Sequence, residues 1–231
     1  MTLSNQNTPG STDKGVQDRL LDAAEQFFCE RGFDGTSVRD LATAAGCNIA
    51  SVNYYFGGKD NLYFEVFRRH MLPLRDACIE SINRVMSQTS GSPSLEDLLR
   101  AFANTFVGAM MDEKKGRRFA KLMNREMSDP HLLSREMFIE EFVLPVTGAL
   151  QRALVTICPG LDELRAMLAI HSIIGQLEHT IDTKAMLEGT DNPRLPRFEV
   201  AEIVDHVVKF SAGGIRACAE AKDRSEGGVK T

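Results

Sequence analysis

The chain has 231 residues, 43% of them hydrophobic, so it is long enough to bury a core in one large domain or two modest ones. Its formal net charge of −5 argues against a generic polyanion binder or a basic membrane-surface protein. No apolar run approaches the roughly 20 residues that a membrane span requires. The five cysteines are scattered, as expected of reduced thiols in a cytoplasmic protein.

Helical periodicity runs through nearly the whole chain and predicts an all-α fold, since the alternation typical of strands is absent. Residues 1–15 are polar, carry no apolar signal segment and predict a disordered arm. A helix over residues 16–30 follows, and Gly32 stands where a helix stop is expected.

A pair of short helices comes next. The second helix begins after Ser37, which forms a capping box with Asp40. Gly46 ends it, and Asn48 is a good N-cap for a third helix over residues 48–56. Two short helices joined by a tight turn with glycine form the helix-turn-helix plan, whose second helix enters the major groove of DNA.

The third helix carries side chains suited to reading DNA. Asn53 has the donor and acceptor that bind adenine bidentately, and nearby hydroxyls suit phosphate oxygens. Ile49 falls on the apolar side of the helical wheel, where it either packs inward or touches a thymine methyl. Helix N-termini near Thr36 and Lys59 are expected to hold phosphates. The predicted DNA-binding residues are Thr36, Ser37, Asn48, Ile49, Ala50, Ser51, Asn53, Tyr54, Tyr55 and Lys59.

The charge of this region favours the opposite interpretation, an ordinary helical corner with surface tyrosines. Residues 1–70 hold 7 Lys and Arg against 9 Asp and Glu, a net charge of −2. Since non-specific DNA affinity grows with the number of phosphates neutralised, binding is expected to depend on hydroxyls, backbone amides and few cations.

The rest of the chain is predicted to be helical with two linkers. A fourth helix over residues 59–86 contains Pro73, a predicted kink. Further helices are predicted near residues 95–111, 115–127, 131–157 with a break or kink at Pro145, 161–187 and 197–221, with linkers at 87–94 and 188–196 and a frayed tail at 223–231.

A stripe of Phe and Met residues follows the first linker and predicts either core or the lining of an effector pocket. Methionine repacks around varied apolar ligands, and pockets between bundle helices commonly bind them. The candidate pocket residues are Phe102, Phe106, Met110, Met123, Met127, Phe138, His171 and Gln176. No metal or other cofactor is predicted, because His171 and His179 lie about 12 Å apart along a helix axis.

The last two helices have apolar faces too wide for one neighbour, which predicts a two-fold dimer interface. The alternative is burial inside one subunit. The predicted interface residues are Leu168, Ile173, Ile174, Leu177, Ile203, Val207 and Phe210.

Residues 16–68 resemble the DNA-binding domain of the TetR family of transcriptional regulators. The motifs are Gly32-Phe33, a Thr opening the second helix, "NYYF" at 53–56 and "KDNL" at 59–62. "NREMSDP" at 124–130 and "SIIGQ" at 172–176 are similar to the CecR-like subgroup. Two positions depart from the family pattern: Asn53 replaces a common tyrosine, and Ile49 replaces a usual polar residue. The resemblance implies a helical C-terminal effector domain, a homodimer through the last two helices and repression relieved by a small molecule.

These expectations combine into one organisation: a helix-turn-helix DNA-binding domain over residues 16–62 and a ligand-binding and dimerisation domain over residues 63–222. The predicted function is a repressor of a near-palindromic operator, released by a small apolar or amphipathic ligand. Two alternatives stay open, a ligand-binding protein with a degenerate DNA-binding domain and a regulator controlled by a protein partner. The sequence contains no nucleophile elbow, phosphate loop or zinc-ligand spacing that would predict an enzyme.

Overall fold

The computed structural model describes residues 9–88, 92–112, 116–128, 136–188, 190, 192, 194, 195 and 197–226. This part of the chain contains no strand. Its helices are α1 (Pro9–Arg31), α2 (Val38–Ala44), α3 (Ala50–Phe56), α4 (Lys59–Met86), α5 (Leu95–Met110), α6 (Gly116–Ser128), α7 (Leu144–Ile157), α8 (Glu163–Glu188) and α9 (Val200–Glu226). None of these helices has an apolar stretch of the length that crossing a membrane takes.

Both ends of the described chain are more helical than the sequence predicted. Helix α1 begins at Pro9, so residues 9–15 of the expected disordered arm are helical, and proline is favoured in the first turn because its missing N–H has no partner there. Helix α9 continues to Glu226, into the expected frayed tail. Residues 1–8 and 227–231 lie outside the described part.

The chain divides into two compact units. Unit 1 consists of Met1–Met71 and Arg117–Ser134, and unit 2 of Leu72–Gly116 and Arg135–Thr231. The division falls within α4, next to Pro73, which cannot donate the backbone hydrogen bond of a helix interior. The domain boundary expected after residue 62 stays a prediction.

An aromatic cluster forms the centre of unit 1. The Tyr63 ring of α4 meets Phe28 of α1 and Phe67 edge to face, both at 4.9 Å between centroids. Leu41 of α2 and Val52 of α3 are each 0% exposed. Each of the two short helices thus contributes a fully buried aliphatic side chain to the core.

In unit 2, α5 packs on α8 and α9, and α7 packs on α8. The buried face of α5 includes Leu98, Leu99 and Phe102. Ser94 caps α5 by accepting a hydrogen bond from the Asp97 amide at 3.0 Å. Aliphatic side chains of α8 and α9 fill the space opposite.

Pro145 changes a helix without ending it. A π-helical turn, Ile139–Val143, runs directly into α7. Pro145 has no N–H to donate to the carbonyl of Glu141, and this carbonyl accepts a hydrogen bond from Arg75 Nη1 at 3.2 Å. The guanidinium of α4 therefore joins α4 to this turn within unit 2.

Candidate DNA interface

The turn between α2 and α3 is fixed by backbone geometry. Gly46 has φ +61° and donates its N–H to the Thr43 carbonyl at 3.2 Å, while Cys47 donates to Ala42 at 3.0 Å. This pair of hydrogen bonds is the Schellman motif. The residue just after the helix, here Gly46, adopts a left-handed conformation in this motif, and glycine does so without strain from a Cβ. Arg19 of α1 adds a hydrogen bond from Nε to the Ala45 carbonyl at 2.8 Å. The turn that orients α3 is thus tied to α1.

The start of α2 confirms one sequence prediction and corrects another. The Ser37 hydroxyl accepts the Asp40 amide at 3.1 Å and donates to its carboxylate at 2.7 Å, which is the expected capping arrangement. Thr36 is 1% exposed, and its hydroxyl donates to the Gly32 carbonyl at 2.7 Å. Since this hydroxyl is buried and already bonded, the prediction that Thr36 contacts DNA is wrong for this conformation.

The start of α3 differs from the predicted helical wheel. The helix begins at Ala50, and the Asn48 side-chain oxygen accepts the Ala50 amide at 2.9 Å. Ile49 has helical dihedral angles but is 52% exposed, whereas Val52 is 0% exposed. Val52 therefore packs inward and Ile49 does not, which excludes the inward-packing alternative for Ile49; its contact with a thymine methyl stays a prediction.

The outer face of α3 carries the predicted reading residues. Ala50 and Asn53 are exposed, and Tyr54 is 77% exposed. Ser51 and Tyr55 are half-buried, and the Tyr55 ring contacts the edge of Tyr54 at 4.8 Å between centroids. This surface combines small residues, an amide and hydroxyls, the groups that fit base edges and phosphates.

The cations near α3 are few. Lys59 is half-buried, and its Nζ lies 4.0 Å from the centroid of the Phe33 ring, so a cation–π contact holds it against unit 1. Arg39, in the first turn of α2, is exposed and was not among the predicted DNA contacts. The exposed Asp40 carboxyl has a pKa lowered mainly by its hydrogen bond from Ser37, so it stays ionised at neutral pH.

A buried charged cluster elsewhere in unit 1 escaped the sequence analysis. Glu25 of α1 is 6% exposed, and its carboxylate lies 3.2 Å from His70 Nε2, 3.7 Å from Arg69 and 3.6 Å from Arg118 of α6. The His70 ring stacks on Phe119 at 5.4 Å. The available signal was an acidic residue among the apolar positions of α1. The cluster joins α1, α4 and α6 within unit 1.

The predicted effector residues are divided between the two units. Met123 and Met127 belong to unit 1, and the other six belong to unit 2; the Met127 side chain lies outside the described part. Phe102 and Phe106 are 0% and 5% exposed and stack at 5.9 Å, so they form core. Met110 and Phe138 are half-buried, and Phe138 stacks on Phe142 at 5.5 Å.

The two polar candidates lie on a different face of unit 2. His171 is exposed, and its Nδ1 lies 2.8 Å from the Met167 carbonyl of its own helix. Gln176 lines an apolar groove of about 260 Å³ between α8 and α9, together with Leu168 and Phe210. The phase of α8 thus turns His171 away from the core that contains Phe102, and its place in an effector pocket stays a prediction.

The predicted dimer residues separate into two groups. Ile173, Leu177, Ile203 and Val207 are between 0% and 4% exposed, because they pack inside unit 2. These four side chains therefore fit the alternative to a dimer interface, which was burial inside one subunit. Leu168 and Phe210 are 57% and 66% exposed, and Ile174 is half-buried. Leu164 at 60% and Met167 at 43% are also exposed on the N-terminal half of α8 and were not among the predicted interface residues.

Comparison with protein families gives two matches. Residues 20–66 match the family described as bacterial regulatory proteins, tetR family. Residues 100–214 match the family described as tetracyclin repressor-like, C-terminal domain. The first match covers α2, α3 and their turn, and the second covers most of unit 2.

Individual relatives agree with these matches. The chain is 30% identical over 188 residues to the HTH-type transcriptional dual regulator CecR of Shigella flexneri, covering 74% of this chain and 78% of that one. It is 27% identical over 111 residues to the biofilm operon icaADBC HTH-type negative transcriptional regulator IcaR of Staphylococcus aureus strain Newman, covering 47% of this chain and 54% of IcaR. A crystal structure from Mesorhizobium loti, assigned to the TetR-family regulators, has the same fold with a TM-score of 0.64 at 19% identity, covering 90% of this chain and 98% of that one.

Proposed function

Because this chain belongs to the TetR family of DNA-binding transcriptional regulators, we propose that it is a homodimeric repressor released from its operator by a small apolar or amphipathic ligand. The observation that carries this proposal is the outer face of α3, where Asn53 and Tyr54 stand exposed beside a turn fixed by Gly46 and Arg19. The name of IcaR, a negative regulator, supports repression.

The charge around α3 supports a binding mode that depends on neutral groups. Asp40 stays ionised beside the site, and Lys59 is held against Phe33. Electrostatic attraction to any phosphate backbone is therefore weak, and discrimination comes from amide, hydroxyl and apolar contacts. A two-fold dimer would place its two reading helices on half-sites about one DNA turn apart, roughly 34–36 Å.

Dimerisation is supported by the exposed apolar face of α8 and α9. Leu164, Met167, Leu168 and Phe210 are each at least 43% exposed, and the last two line the apolar groove between the helices. Gly214, also at the groove, has no atom within 4 Å of an added Cβ. Small residues beside large apolar ones allow the close helix approach that an isologous interface requires.

Ligand release is supported by the match of residues 100–214 to a tetracyclin repressor-like domain. A ligand shifts the equilibrium only if it binds the DNA-free conformation more tightly than the DNA-bound one. Half-buried Met110 and Phe138 of unit 2 remain candidates for its lining. A compound that stabilises the protein but leaves operator affinity unchanged within twofold at saturation is not such an effector.

Selection of bound duplexes from a randomised library, with purified protein at low salt, tests the proposal. We expect a near-palindrome with two half-sites. Tyr54→Ala should weaken binding to that operator while leaving the dimer intact. Glu30→Gln, an exposed substitution on α1, serves as the control and should bind normally. Motif-free binding that salt abolishes would instead favour a ligand-binding protein with a degenerate DNA-binding domain.

A further inference from the structure

Ile49 stands out among the residues around α3 because it is aliphatic and exposed. In the described part of unit 1, the exposed large apolar or aromatic side chains are Ile49 at 52% and Tyr54 at 77%. Both belong to the segment that the proposed function places against DNA. The folded unit does not use Ile49 for its own core, since Val52 carries that role.

The position of Ile49 aligns it with Asn53. Ile49 already has helical dihedral angles, φ −54° and ψ −34°, so it continues the phase of α3 by one residue. Residues four apart lie on the same edge of a helix, about 6 Å apart at about 1.5 Å per residue. Base pairs are stacked about 3.4 Å apart. Side chains at these two positions therefore reach base pairs one or two steps apart.

The chemistry of the side chain selects the base. Isoleucine has no donor or acceptor, so it cannot pair with the polar groups of guanine, cytosine or adenine in the major groove. The one apolar group displayed there is the C5-methyl of thymine. Ala50, exposed next to Ile49, has no side chain long enough to keep the helix away from the base edges.

We propose that Ile49 reads the 5-methyl group of one thymine in each half-site, one or two base pairs from the position that Asn53 reads. This inference rests on the proposed function, because it names a chemical group within the DNA recognised by the same helix. It makes the apolar departure from the family pattern a determinant of operator specificity.

Uracil substitution tests the inference directly, since replacing thymine by uracil removes the methyl group and leaves base pairing unchanged. The selected operator is synthesised with uracil at each thymine position in turn, in both half-sites together, and affinities are measured by gel-shift titration. Burial of one methyl group accounts for roughly a fourfold change in affinity. We expect one sensitive position, where uracil weakens wild-type binding roughly fifteenfold for the two half-sites.

Variants link that position to Ile49. Ile49→Ala should bind the thymine and uracil duplexes equally at the sensitive position, and Ile49→Val should keep part of the discrimination. Because Ile49 is exposed, both variants should fold normally, and their far-UV circular dichroism should match that of the wild type. The uracil scan with wild-type protein tests the inference even if a variant fails to fold. An operator without any methyl-sensitive position, or sensitivity that persists in Ile49→Ala, would overturn the inference and leave the proposed function intact. Failure to select any operator would overturn both.

Discussion

Replacing Glu25 by Gln tests whether the buried charged cluster stabilises unit 1. The substitution keeps the size of the side chain and removes its charge. The carboxylate has an 8% exposed side chain and faces His70 at 3.2 Å, with Arg69 and Arg118 at 3.7 and 3.6 Å. His70 Nε2 is buried and makes no hydrogen bond within the described part of the chain, so its 3.2 Å contact with the carboxylate is mainly electrostatic.

The expected loss follows from these contacts. A buried interaction of a charged group contributes about 1.5–3 kcal/mol, while ion pairs with the half-exposed Arg69 and the exposed Arg118 contribute about 0–1 kcal/mol each. Glutamine retains an oxygen near His70, so part of the interaction survives. We expect Glu25→Gln to lower the free energy of unfolding by about 1–3 kcal/mol at pH 7.

The pH dependence of this loss has a defined sign. Contact with His70, opposed by burial, lowers the pKa of Glu25 below its ordinary value. Between the folded and unfolded pKa values the unfolded chain binds more protons, so the carboxylate stabilises the fold above the unfolded pKa of about 4.3. That contribution disappears as pH falls through the lowered folded pKa. The difference between wild type and Glu25→Gln should therefore shrink below pH 5.

Intrinsic fluorescence makes the assay specific for unit 1. The chain has no tryptophan, and its three tyrosines, Tyr54, Tyr55 and Tyr63, all lie in unit 1. Urea unfolding followed by tyrosine emission, between pH 7 and pH 4, therefore reports the unit that contains the cluster. Glu30→Gln is the matched control on α1 and should stay within about 0.5 kcal/mol of the wild type. Equal stability of Glu25→Gln and wild type at pH 7, or a difference that does not change on acidification, would refute the reasoning.

Three further predictions concern the turn, the reading helix and the interface. Gly46→Ala should destabilise unit 1 by about 1–2 kcal/mol in urea unfolding, because the φ of +61° is unfavourable for alanine even though no atom lies within 4 Å of the new Cβ. Gly46→Asn should cost less, since asparagine adopts left-handed φ values more readily. Equal losses for the two variants would point to a cause other than backbone conformation. Asn53→Ala should relax base preference at one position per half-site in a repeated selection, and an unaltered motif would exclude Asn53 from base reading. Leu168→Glu combined with Phe210→Glu should give monomers in sedimentation analysis, while Leu144→Glu, 59% exposed at the start of α7, should not; a dimer that persists would place the interface elsewhere.

The helices of this protein could be located from sequence because their signals are local. Ser37 caps α2 as predicted, and Gly32 and Gly46 adopt positive φ values where helix stops were expected. Caps and left-handed stops depend on a few neighbouring residues. The same locality explains why the helix-turn-helix plan and the family resemblance can be recognised from the order of the residues.

The roles of individual side chains were predicted less well because exposure is not a local property. Helical spacing put Ile49 on the inner side with Val52, but the start of α3 is positioned by its turn, and Ile49 is 52% exposed. The position of Thr36 near a helix N-terminus suggested a phosphate contact, yet Thr36 is buried, and the Gly32 carbonyl after α1 accepts its hydrogen bond.

The apolar patterns of α5, α8 and α9 predicted that one face of each helix would be buried. They did not predict whether the same subunit, a ligand or a second subunit would bury it. Stacking of Phe102 on Phe106 makes core from residues that equally suited a pocket, and packing inside unit 2 takes Ile173 and Leu177 away from any partner. Hydrophobic periodicity specifies which face of a helix avoids water, whereas the neighbour that covers it depends on contacts between residues far apart in the chain. The sequence by itself thus determined the helical fold, the family and the segment proposed to read DNA. Only the tertiary structure decided which side chains remain exposed to meet DNA or a second subunit.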